Sequence, residues 1–285
     1  MTRLRLLLFI VASLSAFAQQ DEPRFIAEGP DTRIDKTTSV AILNAACEDG
    51  KIDGETCSKC PNSGEGVWSI GTIITGHFSS VDNEEAFIGS NNCSYVGRQS
   101  GFGMLLGKRN GKWTKLNPSI AAVDDGCMRR KQRSGREFLM CESWIYHRDG
   151  AHTYSLVTVF VENDNIEIHG LFTASDTTKC CMTQGKVQKA EVRDIQFHDL
   201  NGDGLEDISI TATYGAFEMT EPRRDQCDAA NDAADRATPG GPKSVKKYPQ
   251  PSITKTYKIQ YLFNGNTYTP TPQSLAAIAL FNTEH

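Results

Sequence analysis

The sequence predicts a mainly β fold of antiparallel sheets and hairpins, arranged as propeller-blade-like units or as a sandwich, with short helices near the N- and C-termini. Two observations predict it. Short runs rich in Val, Ile, Phe, Tyr and Thr recur along the chain, and turn dipeptides such as Asn110-Gly111, Asp149-Gly150 and Asn264-Gly265 separate them. That spacing belongs to strands joined by tight turns, because both residues of such a turn need a positive φ that Asn, Asp and Gly tolerate best.

Residues 1–18 read as a secretory signal. Arg3 and Arg5 precede the apolar run Leu6–Leu14 and the small-residue pattern Ala16-Phe17-Ala18, with cleavage expected after Ala18. No later segment approaches the roughly 20 consecutive apolar residues of a membrane span, so the mature chain is expected to carry no transmembrane segment and to be secreted or periplasmic. Residues 19–66 form a polar, flexible N-terminus, a short helix over Thr37–Ala46 with Thr37 and Thr38 as cap candidates, and a Cys-rich stapled loop. A β domain fills 67–285. Its expected strands are Val67–Thr75, Ala86–Ile88, Phe102–Leu106, Trp113–Leu116, Phe138–Tyr146, Tyr154–Val161, Asn165–Thr173, Val192–Phe197, Ile208–Tyr214, Lys255–Phe263 and Thr267–Pro270. Residues 217–252, with five prolines and few apolar side chains, read as a long mobile excursion. Ser274–Phe281 reads as a closing helix.

The formal net charge is −5, and becomes −7 once the two leader arginines are removed. This acidic balance argues against nucleic acid as a partner, since affinity for phosphate backbones rests on Lys and Arg. All nine cysteines lie beyond the leader, which suits an oxidising compartment. Cys127 with Cys141, and one of Cys180 and Cys181 with Cys227, are the plausible local pairs. Cys57-Ser-Lys-Cys60 has metal or redox spacing, but it lacks two further ligands at family-like spacing or a βαβ context, so a disulfide staple is the better reading.

One motif carries sharp chemistry. Asp199-Leu-Asn201-Gly-Asp203-Gly204-Leu205-Glu-Asp207 places side-chain oxygens at positions 1, 3 and 5, a backbone carbonyl (Leu205) at 7 and a carboxylate at 9. Calcium takes six to eight oxygens, and alternating side chains on a tight loop supply most of them. Gly204 at the sixth position permits the sharp turn. Position 12, where an EF-hand carries a bidentate Glu, is Ile210, and the flanks alternate like strands. The ion would therefore staple a strand-to-strand turn. Phe197–Ile208 resembles the calcium loop of FG-GAP and VCBS repeats, the blade motif of integrin-type propellers and of many exported bacterial proteins. The resemblance is confined mainly to residues 191–214. It implies calcium ligation through the side chains of Asp199, Asn201, Asp203 and Asp207 and through the Leu205 carbonyl.

Gly76–Ile88 lies over the same pattern as a worn copy. His77 falls at position 1, Ser79 at 3, Val81 at 5 and Glu85 at 9, and Val81 cannot ligate. Each copy is followed by a strand and an Asn-Gly hairpin ending in an aromatic, Trp113 and Tyr268. Elsewhere His147, His152 and His169 are the histidines that could converge, Asp124-Asp125 are adjacent in a turn, and Asn92-Cys-Ser94 is a glycosylation sequon. The sequence shows no nucleophile elbow, zinc-protease helix or phosphate-cradling loop. The functional expectation is a secreted calcium-binding β module with a structural ion, non-catalytic, with an extracellular protein or glycan as partner. Its alternative is an exported, calcium-stabilised hydrolase acting on carbohydrate or peptide polymers.

Overall fold

A computed structural model of the chain describes residues 25, 35–47, 50, 52–53, 56–59, 67–91, 102–116, 120–121, 126–147, 150–162, 165–181, 185–235 and 247–281. The leader, the sequon at Asn92, Asp124-Asp125, Cys60, Cys93 and the turn at Asn163–Asp164 lie outside the described residues. Helix α1 (Lys36–Ala46) leads into two short strands, β1 (Ile52–Asp53) and β2 (Thr56–Cys57). Then follow β3 (Trp68–Gly76), β4 (Glu85–Asn91), β5 (Phe102–Arg109), β6 (Lys112–Lys115) and β7 (Ile120–Ala121). The second half holds β8 (Gly126–Lys131), β9 (Glu137–Tyr146), β10 (His152–Glu162), β11 (Asn165–Asp176), β12 (Lys186–His198) and β13 (Asp207–Glu218). Helix α2 (Glu221–Asp235), strands β14 (Lys255–Phe263) and β15 (Tyr268–Pro270) and helix α3 (Pro272–Phe281) complete the chain. All the pairings are antiparallel, in one sheet ordered β1 to β6 with β7 against β5 and a second ordered β15 back to β8. The fold is mainly β, as the turn spacing predicts.

Alternation along the strands sets the layers, because successive side chains point to opposite faces. In β3 to β6, Ile73, Ala86, Ile88, Met104, Leu106 and Trp113 face one way, onto Ile42, Leu43 and Ala46 of α1. Ile74, Phe87 and Leu105 face the other way, onto Leu139, Cys141, Val159 and Val161 of β9 and β10. The opposite face of β9 and β10 supplies Phe138, Met140, Tyr154, Leu156 and Phe160 to the largest core, shared with β11 to β15 and α3. The second sheet is nearly interrupted between β11 and β12, which share one register pair, Asp176 with Lys189. The result is three four-stranded units, β3–β6, β8–β11 and β12–β15, with the middle one packed on both faces. Phe138 joins the third unit's aromatic cluster, 5.6 Å from Phe263 and 6.2 Å from Tyr268, ring centre to ring centre.

The first and third units superpose in register. The loops between β3 and β4 and between β12 and β13 close on the pairs Gly76–Glu85 and His198–Asp207, a constant offset (207 − 85 = 122). Each inner strand then skips one residue, Gly71 and Arg193, at the same offset (193 − 71 = 122). The next strands match too: Ala86–Leu106 and Ile88–Met104 correspond to Ile208–Tyr261 and Ile210–Ile259. The Leu116 N–H to Leu105 carbonyl bond (3.0 Å) recurs as Thr271 to Gln260 (2.9 Å). The six side chains facing α1 in the first unit correspond to Ile195, Ile208, Ile210, Ile259, Tyr261 and Tyr268, all in the largest core. On the other face the units diverge. Phe87 and Leu105, which cover the middle unit, correspond to the polar Ser209 and Gln260.

Several details depart from expectation. The cap of α1 is Asp35, whose Oδ1 accepts from the N–H groups of Thr37 (2.9 Å) and Thr38 (3.0 Å). Thr37 and Thr38 are the residues being capped. Cys57 bonds to Cys47, tying the end of α1 to β2, so the Cys57-x-x-Cys60 pair is not its own staple. Cys127–Cys141 and Cys181–Cys227 form as expected. The excursion expected to lack structure contains the fifteen-residue helix α2. It starts with Pro222 in its first turn, where a missing N–H costs nothing. Its apolar face is little more than Cys227 and Ala230, both buried, and the disulfide from Cys227 anchors it to the β11–β12 connection.

Candidate metal centre

The loop 199–206 owes its shape to two glycines and one buried acid. Gly202 and Gly204 have φ of +81° and +80°, with open space where a Cβ would stand. Asp199 Oδ1 accepts from the N–H groups of Gly202 (2.6 Å) and Asp203 (3.2 Å), and Oδ2 from Gly204 (2.8 Å). These bonds, the Gly204 N–H above all, hold the Asp199 carboxyl below the usual carboxylate range. Asp203 Oδ1 accepts from Leu205 N–H (2.9 Å), and its Oδ2 from the Asn201 amide (3.1 Å). Asp207 is fully buried at the start of β13. Its Oδ2 accepts from Leu200 N–H (2.8 Å) and its Oδ1 from Phe263 N–H (2.7 Å), so one carboxylate joins the loop to β14.

The five expected ligands thus sit on one nine-residue turn. Asp199, Asn201 and Asp203 are exposed, Leu205 is half-buried and Asp207 lies beneath. Among the described residues no group of three or more His, Cys, Asp or Glu side chains converges as ligands to an ion would. The carboxylates of this loop are turned onto backbone amides. The donor set still suits a hard divalent cation: every donor is an oxygen, and a carboxylate oxygen that accepts one N–H keeps a second lone pair.

The companion loop 77–84 has the same length and closure but satisfies itself differently. His77 Nδ1 lies 2.7 Å from the Asn83 carbonyl, and since a carbonyl only accepts, this nitrogen carries the proton. Asn83 is position 7, the counterpart of Leu205. Glu85, fully buried at position 9, accepts through Oε2 from Phe78 N–H (2.8 Å) and Ser79 N–H (2.7 Å), while its Oε1 pairs with the Ser79 hydroxyl. One methylene longer than Asp207, Glu85 reaches into the loop rather than across to the next strand.

Both loops contact the β8–β9 hairpin. On one side, Glu137 N–H donates to the His77 carbonyl and His77 N–H to Glu137 Oε2, each at 2.8 Å. On the other side, Arg130 pairs with Glu206 and covers the Phe197 ring (4.4 Å). Arg133 N–H donates to the Gly265 carbonyl (2.8 Å), and the Tyr268 hydroxyl to the Glu206 carbonyl (3.2 Å). The sequence offered no signal for this grip beyond the basic run Arg129–Lys131, because it depends on strand register across 60 residues or more.

The histidines do not converge. His147 and His152 flank the β9–β10 turn, with His147 Nε2 at 3.1 Å from the Thr153 hydroxyl and Lys179 Nζ at 3.4 Å from His152 Nε2. Partial burial, then the Lys179 charge, lowers the His152 pKa. His169 pairs with Thr158, six residues along β10 from His152, or about 20 Å at strand rise, and sits beside Glu167. No protein-family model, curated protein or solved structure significantly matches the chain.

Proposed function

We propose that this chain is an exported β module stabilised by one calcium ion at the loop 199–207, serving as a non-catalytic binding protein for an extracellular protein or glycan. The single observation that carries the calcium reading is the loop itself, which sets five oxygen donors at alternate positions around two positive-φ glycines. Its resemblance to FG-GAP and VCBS calcium loops supports the same reading. Three disulfides among the described residues support export, since such bonds persist in oxidising compartments. No helix among the described residues is long and apolar enough to cross a membrane. In this reading Asp199, Asn201, Asp203, the Leu205 carbonyl and Asp207 hold the ion, which neutralises the carboxylates and ties β12 to β13.

Thermal melting of the mature chain in millimolar calcium and in excess chelator tests the proposal. An ion at a hundredfold excess over its Kd adds about 2.7 kcal/mol, roughly 5–10 °C in a chain of this size. Asp203→Ala should abolish that increment while leaving the melt in chelator nearly unchanged. Equal melting of the native chain with and without calcium would sink the reading.

A further inference from the structure

Two loops of identical length and closure, each on the first hairpin of a matching four-stranded unit, answer the same physical problem in two ways. The turn has to satisfy the carbonyl at position 7 and the amides at positions 2 and 3 while reversing the chain within eight residues. In the loop 199–206 the Asp207 carboxylate takes the amide of position 2, Leu200, and the Asp199 carboxylate takes those of Gly202, Asp203 and Gly204. In the loop 77–84 the His77 imidazole N–H is bonded to the carbonyl of position 7. The buried Glu85 carboxylate takes the amides of positions 2 and 3, Phe78 and Ser79. Position 5, which an ion would need, is the exposed Val81, set against Gly135 of the β8–β9 turn.

We infer that the loop 77–84 is the ion-independent counterpart of the loop 199–206, with the His77 imidazole and the Glu85 carboxylate standing where a cation would act. The β8–β9 hairpin is therefore held by one permanent loop and one calcium-dependent loop. The inference rests on the calcium reading of 199–207 for its second half only. The first half stands on the His77 and Glu85 contacts and their matched register.

The test has two arms, chosen so that the two readings fail separately. In the first arm, amide exchange of the native mature chain is compared in calcium and in chelator. Calcium should slow Gly202, Gly204 and Leu205 and, through the Gly265 contact, Arg133, while Phe78, Ser79 and Glu137 exchange equally in both. Slowing of Phe78 and Ser79 by calcium would overturn the inference, whereas no response anywhere would overturn the calcium reading alone. In the second arm, Glu85→Gln and the milder surface change His77→Ala are melted in both conditions. Each should lower the melting temperature by the same amount with and without calcium. A drop confined to calcium, or no drop from either variant, would overturn the inference. In the same arm, a chain carrying His77→Asp, Ser79→Asn, Ser80→Gly, Val81→Asp, Asp82→Gly and Glu85→Asp should raise the bound calcium from one to two per chain. A stoichiometry unchanged at one in a folded variant would also overturn it.

Discussion

Replacing Asp207 by alanine deprives two backbone amides of their acceptor at once. Leu200 N–H and Phe263 N–H each give their bond to this one fully buried carboxylate, the Phe263 amide itself buried and the Leu200 amide partly so. A buried donor left unsatisfied costs about 1–3 kcal/mol, which puts Asp207→Ala at about 4 kcal/mol for the pair. At about 2–4 °C per kcal/mol for a chain of this size, the melting temperature should fall roughly 8–16 °C in chelator. Asp207→Asn keeps one acceptor oxygen but turns an amide toward the second N–H, so it should cost about half as much. The comparison is Asp203→Ala, whose carboxylate is exposed and whose bonds stay within the loop. In chelator it should cost about half a kcal/mol or less. Equilibrium urea unfolding of the three variants in excess chelator measures the differences. If Asp207→Ala falls within about 1 kcal/mol of Asp203→Ala, the claim that Asp207 ties the loop to β14 is wrong.

Two further outcomes follow from the same contacts. Burial and Lys179 depress the His152 pKa below its ordinary value of 6.5, so the unfolded chain binds more protons across that window. Stability should therefore decline as pH falls below about 6.5, and His152→Asn should flatten that decline in melts from pH 7 to 5. Removing Cys181–Cys227, which spans 46 residues, should cost about 4 kcal/mol on loop-closure grounds, against about 3 for Cys127–Cys141, which spans 14. Urea unfolding of the paired Cys→Ala variants should rank them in that order, and the reverse order would count against the tie to α2 as a main stabiliser.

What could be read in the sequence was mostly what depends on neighbouring residues. The turn at Asn110-Gly111 was legible because its backbone demand falls on the dipeptide itself, and the φ values of Asn110 (+50°) and Gly111 (+75°) meet it, whereas at Asn264-Gly265 only Gly265 (+94°) has a positive φ and the hairpin closes around it through the bond from Asn264 N–H to the Thr267 carbonyl. The alternation in Val192–Phe197 and Ile208–Tyr214 gave the strands that flank the acidic loop, although each runs several residues longer in the structure. Strand β8 was hidden, because Met128-Arg-Arg-Lys131 looks like a surface run. It alternates half-buried and exposed positions only once Cys127 is pinned to Cys141. Helix α2 was missed for a related reason. Few of its residues are apolar, and its anchor is a covalent bond to a cysteine 46 positions away. At the candidate site, the donor atoms were readable but the occupation of Asp207 by Leu200 and Phe263 was not. Phe263 is 56 residues distant, and nothing in the acidic motif names it. In the worn copy, Val81 at position 5 flagged the loss of a ligand, but the compensation by Glu85 depends on its extra methylene reaching two amides.

The unequal connections between the matched strands bear on the order in which the chain assembles. In the first unit ten residues separate β4 from β5 (92 to 101), whereas thirty-six separate β13 from β14 (219 to 254). Closing the longer loop costs about 1 kcal/mol more in chain entropy, before the aromatic core around Phe263 and Tyr268 rewards it. The β3–β6 hairpins should thus close first and the β13–β14 pairing last, with oxidation of Cys181 to Cys227 shortening the search. Refolding followed by pulsed exchange should show Phe87 and Ile88 protected before Ile259 and Tyr261, and the lag should lengthen when Cys227 is replaced. Simultaneous protection of both sets would mean that nucleation is governed by the shared middle unit instead.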